Sequence, residues 1–416
     1  MESPEAPPLE IAEGETKSAE YKRLFLLLGL GWTLTNIGYG ILGLPMRFML
    51  KDKMRLNAEA ISRFFVIGHF SNYVKPIAGI LTDCIPLFGY RRRSYLLICL
   101  IGAAIGYMVL AFIPRNYNTL LTVYTLNYIN VVFISTTLGG VMVEVGARFH
   151  AAGRLTAQRI GSFRVGGLVG DLAGGFLAQY PLWVATSITS SCHLVLIPLF
   201  LVWLFEPQAK EVDTQKLRQV KTQFVGLFQN KSLTRAAFMI FLIAIAPGFG
   251  TPLFFFQTNE LKFTPKFLGL LGVVGSTGGI AGAWFYFHLC RRMNLKHLIV
   301  WSIVQHAFGT LFYLLYQNTT SALLITFFEG VTVTLATLPV YDLASRGTPK
   351  GSEALGYSVM MSVWNLTNAL SDWSGSVLFG VLKNSFIPLI WLNAATTLIA
   401  LAFVPFLPQT LLRSKD

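Results

Sequence analysis

The chain has 416 residues, 53% of them hydrophobic and only 13% charged. Soluble proteins carry about a quarter charged residues, so a string of soluble domains is excluded, as are disordered and collagen-like chains. The 33 Lys and Arg outnumber the 20 Asp and Glu, for a net charge of +13. In a membrane protein this excess marks loops that face anionic lipid. No basic patch interleaved with aromatics supports a nucleic-acid partner. The apolar runs are long and continuous, which excludes a β-barrel and predicts an all-α polytopic membrane protein in the lipid bilayer. Cys84, Cys99, Cys192 and Cys290 lack metal-ligand spacing and read as free thiols. No metal and no cofactor is expected.

Residues 1–20 are acidic and Pro-containing, unlike a secretory or transit signal, and are expected to be a disordered cytoplasmic tail. Twelve apolar spans follow, near 22–49, 57–83, 94–113, 117–144, 155–180, 184–205, 234–257, 265–290, 297–316, 319–344, 353–380 and 385–408. Each has the roughly 20 residues that cross a bilayer at about 1.5 Å per residue. The polar interval 206–233 splits them into a first bundle, 21–205, and a second, 234–408, of six helices each. Residues 409–416 form a second cytoplasmic tail.

Lys and Arg concentrate on one side of this arrangement: the N-terminal tail, Arg91–Arg93, Arg148, Arg154, the 206–233 interval, Arg291–Lys296, Arg346, Lys350 and the C-terminus. The other side has only Arg47, Lys51, Lys53, Arg55, Arg115, Lys262, Lys266 and Lys383. The bias puts both termini in the cytoplasm. The halves also repeat. Glu144 and Asp342 end spans 4 and 10 at an offset of 198 residues, and Gly153 and Gly351 follow at the same offset. Arg91-Arg92 and Arg291-Arg292 match at an offset of 200. Two parallel six-helix halves make the major facilitator arrangement, two pseudo-symmetric bundles. Gly166, Gly167, Gly170, Gly174 and Gly175 in span 5 let a neighbouring helix come close.

Gly79-Ile-Leu-Thr-Asp83 leading into Gly89-Tyr-Arg-Arg-Arg93 resembles an expanded form of that superfamily's loop signature, in which Gly, Asp and Arg tie helix ends together. Narrower matches follow. Lys75-Pro76 through Asp83 and Pro86-Leu-Phe-Gly-Tyr-Arg-Arg-Arg-Ser-Tyr95 resemble the second span and loop of the folate–biopterin transporter family. Phe256-Gln-Thr-Asn-Glu-Leu-Lys-Phe-Thr-Pro-Lys-Phe-Leu-Gly269 resembles its spans 7 to 8. Val143-Glu144-Val-Gly-Ala-Arg148 is a third likeness, with that string standing where the family has Val-Val-Glu-Arg. The resemblance runs from about residue 20 to 405. It implies proton-coupled uptake of folates or pterins by alternating access; the short loops and the lack of a transit peptide suit the cell (inner) membrane, and a monomer is expected. The superfamily likeness also implies that spans 1, 4, 7 and 10 line the cavity, with 2, 5, 8 and 11 beside them.

An ionisable group deep in lipid needs a partner or a cavity, which selects the candidates. Arg164, about 15 Å along span 5, reads either as a clamp for a substrate carboxylate or as the counter-charge of Glu329. Glu329 in span 10 reads as a coupling-proton site or as that counter-charge. Asp171, two turns beyond Arg164, fits the donor edge of a pterin, a proton site, or a packing bond among the glycines. Lys75 attracts an anion or snorkels. Asn72, Asn36, Asn130, Asn368 and Trp364 suit a ring-rich polar solute and equally serve as interhelical contacts. Asp372 joins Asp171 and Glu329 as a proton-coupling candidate. Asp83, Arg91, Arg92, Arg93, Glu144 and Asp342 form a cytoplasmic gate or helix-end salt bridges. The absence of a Walker motif and of a positioned nucleophile argues against an enzyme. Two alternatives stay open: a transporter of another anionic or zwitterionic solute such as an amino acid or nucleoside, and a non-transporting membrane assembly factor.

Overall fold

The computed structural model describes residues 17–209, 212, 214–290, 292–348 and 353–407. Most of the expected N-terminal tail, Arg291, Lys350, Gly351 and the tail 409–416 lie outside the described residues. The chain is built from helices: α1 (Lys17–Phe48), α2 (Ala58–Gly68), α3 (Phe70–Tyr73), α4 (Lys75–Cys84), α5 (Arg93–Phe112), α6 (Tyr117–Arg148), α7 (Ala152–Leu177) and α8 (Leu182–Trp203). After these come α9 (Thr214–Gln229), α10 (Lys231–Ala244), α11 (Gly250–Phe255), α12 (Pro265–Leu289), α13 (Leu295–Leu311), α14 (Thr319–Gly347), α15 (Glu353–Val381) and α16 (Phe386–Ile399).

Among the described residues, eight helices are long and apolar enough to cross a membrane unaided. The other four expected spans fail for local reasons. Span 2 is broken into α2, α3 and α4 at His69 and Val74, next to Pro76. Proline disfavours helical backbone in the residue before it and has no N–H to donate. Span 7 is broken between α10 and α11, around Pro247. Helix α7 is continuous but carries Arg154, Gln158, Arg159, Arg164 and Asp171. Helix α15 is rich in Ser and Asn. Large exposed side chains such as Ile105, Phe112, Trp183, Trp284 and Trp391 are accounted for by lipid.

Asparagines start many of the helices. The side chain of Asn116 accepts the N–H of Asn118, Asn230 that of Leu233, Asn294 that of His297, and Asn318 that of Ser321. Each cap satisfies a donor left over by the first turn.

The residues form two compact units. The first runs to Met46 and resumes over Lys75–Val220; the second holds Arg47–Val74 and the chain from Lys221 onward. In the first unit α5 packs on α6 and α8, and α4 on α6. Helix α7 lies against α1 along Gly166, Gly170 and Gly174. A Cβ on Gly40 would sit 2.8 Å from the Cα of Gly170, so only glycine fits this crossing. In the second unit α14 packs on α12 and α13, α15 on α10, and α2 on α15. Its core gathers Met239 and Ile240 of α10, Ile299 and Ile303 of α13, and Leu343 of α14.

Candidate functional site

Three clusters of polar residues occupy the first unit. One sits at the α4–α5 connection. Leu87 and Tyr90 exchange backbone hydrogen bonds at 2.9 and 3.0 Å, and Phe88 and Gly89 both have positive φ, 51° and 82°. This is a type I′ turn, which requires positive φ at both central residues. It aims the three arginines. The Glu206 carboxylate accepts the backbone N–H groups of Arg91, Arg92 and Arg93 at 2.8–3.1 Å, capping α5 from the end of α8. The Arg92 guanidinium donates to the Gly140 carbonyl at 2.7 Å, pairs with Asp83 at 3.3 Å and makes a short ion pair with Glu144. Arg93 donates to the Leu201 carbonyl at 2.6 Å and lies over the Tyr90 ring. Asp83, Arg92 and Glu144 therefore join α4, α5 and α6 within one unit.

The second cluster ties α1 to α6. Arg148 donates to both oxygens of the fully buried Glu20, at 2.8 and 3.1 Å, and lies over Phe149.

The third lies further along α1 and α7. Arg159 stands 4.8 Å over the ring of the buried Trp32. Its charge acts on Lys75 at the start of α4. Asn36, one turn beyond Trp32, donates to the Trp32 carbonyl at 2.6 Å and packs on Gly166. Arg164 and Asp171 are half-buried on α7, and neither makes a hydrogen bond or ion pair among the described residues. Lys75 is in the same position apart from Arg159. The Trp32 ring with Arg159 and Lys75 gives an aromatic face and two cations, a set that can hold an anion carrying a flat ring. Asn130 is elsewhere: it packs on Gly102 of α5.

In the second unit, Glu329 is half-buried on α14, and its side chain has no hydrogen bond among the described residues. Trp364 meets Tyr341 edge-on at 6.1 Å, and the exposed Asn368 donates to the Trp364 carbonyl at 2.8 Å. Asn72 lies on α3, where its N–H reaches the His69 carbonyl. Asp342 accepts from Arg346 on its own helix at 2.7 Å. Asp372 is held by three donors: the Thr251 N–H at 2.8 Å, the Thr251 hydroxyl at 2.6 Å and the Ser62 hydroxyl at 2.9 Å.

Sequence reasoning missed Trp32, Arg159, Glu20, Glu206, Ser62 and Thr251. Glu206 had a visible signal: the first acid after span 6, at the end of its helical run and placed to meet a triple-arginine loop. Trp32 and Arg159 had none, because their pairing depends on how α1 crosses α7.

A model of the BT1 family matches residues 36–415. The chain belongs to the BT1 family. Among its relatives, the folate-biopterin transporter of Synechocystis sp. is 30% identical over 391 residues, covering 88% of this chain and 78% of that protein. Folate transporter 2 of Plasmodium falciparum is 25% identical, covering 90% of this chain and 84% of that one. Solved structures share the fold. A peptide transporter POT in complex with sulfate superposes with a TM-score of 0.74 at 12% identity, over 98% of both chains. A D-xylose–proton symporter gives 0.69 at 17% identity, over 94% of this chain and 98% of that one. At such low identity these two establish the major facilitator fold and nothing further. This BT1 chain is thus a multi-pass membrane protein.

Proposed function

We propose that the chain is a secondary active transporter that takes up folates or pterins with protons by alternating access. It acts as a monomer in the cell (inner) membrane with both termini cytoplasmic. The observation that carries the solute class is Arg164, a half-buried guanidinium without a partner among the described residues, in mid-helix of α7. A charge so placed stays in a membrane helix only where it faces a cavity or meets a ligand. A folate offers carboxylates for it and a flat pteridine for the aromatic and amide groups around Trp32 and Asn36. The kinship with the Synechocystis folate-biopterin transporter supports the same class. Lys75 adds positive potential, and Asp171 suits the donor edge of the ring. Asp171 and Glu329, whose carboxylates accept no hydrogen bond among the described residues, are the proton carriers. The Arg92 cluster is a cytoplasmic structural joint.

The test is uptake of radiolabelled folic acid into proteoliposomes, with and without an inward proton gradient, for the wild type and Arg164→Ala. Gradient-driven accumulation is expected in the wild type and a loss of about tenfold or more in the variant, the effect of one charge-assisted clamp. Accumulation that survives in the variant would remove Arg164 from the site. No uptake in either, with unlabelled pterins and amino acids also inert as substrates, would overturn the transport reading.

A further inference from the structure

We infer that Asp372 is the latch residue of a gate formed by the far ends of the first two spans. Segment Arg47–Val74 belongs in the sequence to spans 1 and 2, yet it packs into the second unit with the C-terminal half of the chain. Helix α2 docks on α15 and α11. A polar bond of that dock comes from Ser62, which donates to Asp372 Oδ2 at 2.9 Å across 310 positions of sequence. The same oxygen accepts the Thr251 hydroxyl at 2.6 Å, and Oδ1 accepts the Thr251 N–H at 2.8 Å. Ser62 and Thr251 are almost completely buried. One carboxylate thus ties α2, α11 and α15 at a single point.

Aromatic rings and the cations over them make further contacts of the dock. Phe48 meets Phe254 edge-on at 5.1 Å, and Arg47 lies between the rings of Phe65 and Phe254 at 5.4 and 6.0 Å. Lys51 stands 5.8 Å from the Phe255 ring. Such surfaces separate and rejoin without strict geometry, whereas a shared carboxylate is made or lost as a unit. The break before α11 is fastened by α15 and by α16, whose Asn393 side chain donates to the Pro247 carbonyl at 2.8 Å. Gly248 N–H donates to the Ser371 carbonyl at 2.8 Å, and the Ser371 hydroxyl donates to the Ala246 carbonyl at 2.5 Å. Release of Ser62 therefore frees α2 while α11 stays on α15. The latch must open once per cycle if the chain works by alternating access. That consequence rests on the transport reading, and the latch itself does not.

Two measurements on protein with its four native cysteines replaced test it. The first needs no substrate: the rate at which purified Ser62→Cys is alkylated by a maleimide, with and without Asp372→Asn. Loss of the acceptor's charge is expected to raise the rate about tenfold, the shift from losing one hydrogen bond to a charged group; an unchanged rate overturns the latch. The second keeps Asp372. The hydroxyls of Ser62 and Thr251 share one acceptor oxygen, so the Ser62→Cys, Thr251→Cys pair is expected to crosslink on oxidation. Oxidised protein should lose folate uptake and regain it on reduction. Crosslinked protein that transports at the full rate overturns the latch. Failure of uptake in the uncrosslinked protein and the wild type would instead reject the transport reading, with the alkylation rate still deciding the latch.

Discussion

Arg92 and Arg164 show what separates a structural from a functional charge at the scale of single residues. Arg92 is engaged on every side, by Asp83, Glu144 and the Gly140 carbonyl, and its backbone N–H goes to Glu206. Removing one member of a largely buried network leaves the others without partners. Arg92→Ala is expected to cost about 3 kcal/mol of stability, near the lower end for a broken buried pair because Asp83 keeps some access to water. Glu206→Ala, which strips the cap from three N–H groups, should cost about 2 kcal/mol. Arg164→Ala should leave the unfolding temperature in detergent unchanged or slightly raised, since an uncompensated charge is removed. Thermal unfolding of the three variants side by side checks this. An Arg164 variant as unstable as the Arg92 one would mean that Arg164 serves the fold.

At the scale of helices, the decisive contact is the crossing of α1 and α7. Glycines spaced four apart on α7 form one stripe, and the Gly170 and Gly174 positions touch the backbone of α1 at Ile37, Gly40 and Ile41. Any Cβ at Gly40 collides with Gly170 backbone, which has no rotamer to yield. Gly40→Val is therefore expected to force the helices apart, costing about 2–3 kcal/mol through overpacking, and to displace Trp32 from Arg159. Gly167→Ala, with open space around it, should be silent. Thermal unfolding together with Trp fluorescence distinguishes the two, and a Gly40→Val protein that melts like the wild type would contradict the crossing. The stripe was legible in the sequence because spacing by four survives any tertiary arrangement. Its partner Gly40 was not, because Gly29, Gly31, Gly38, Gly40 and Gly43 on α1 are equally good by composition. The breaks in spans 2 and 7 were hidden for a related reason. Pro76 and Pro247 mark them, but a break at membrane depth persists only where other helices satisfy the freed backbone. Here Ser371 and Asn393, distant in sequence, do so at Gly248 and Pro247.

At the scale of the molecule, the internal repeat reaches deeper than the sequence motifs. Spans 1 and 7 each finish in a π-helical turn, Met49–Lys53 and Phe256–Glu260. Each turn leads to a basic residue with φ of 54°, Arg55 and Lys262, and then to a side-chain cap, Asn57 or Thr264, of the next helix. The correspondence holds at an offset of 207 residues. The arginine loops repeat at 200, so the halves have drifted by several residues between their ends. A residue of bulky type at positive φ is costly, and its use at both positions fixes the same tight reversal twice. Composition and span spacing made the twofold plan readable, because each half must bury the same kind of helix. The partition into units was not readable, since it depends on which faces of α2 find a partner. Helix α2 buries Ala58, Ile61 and Phe64 within the second unit, although the chain enters it from α1 and leaves into α4. The chain thus leaves the first unit at Met46–Arg47 and returns to it at Val74–Lys75. Cutting the polar interval with a protease site inserted after Ala209 should therefore leave two fragments that co-elute in mild detergent. The N-terminal fragment would carry segment Arg47–Val74, still packed among the helices of the other. Separation of the fragments on a sizing column would mean that this segment docks too weakly to hold the second unit together.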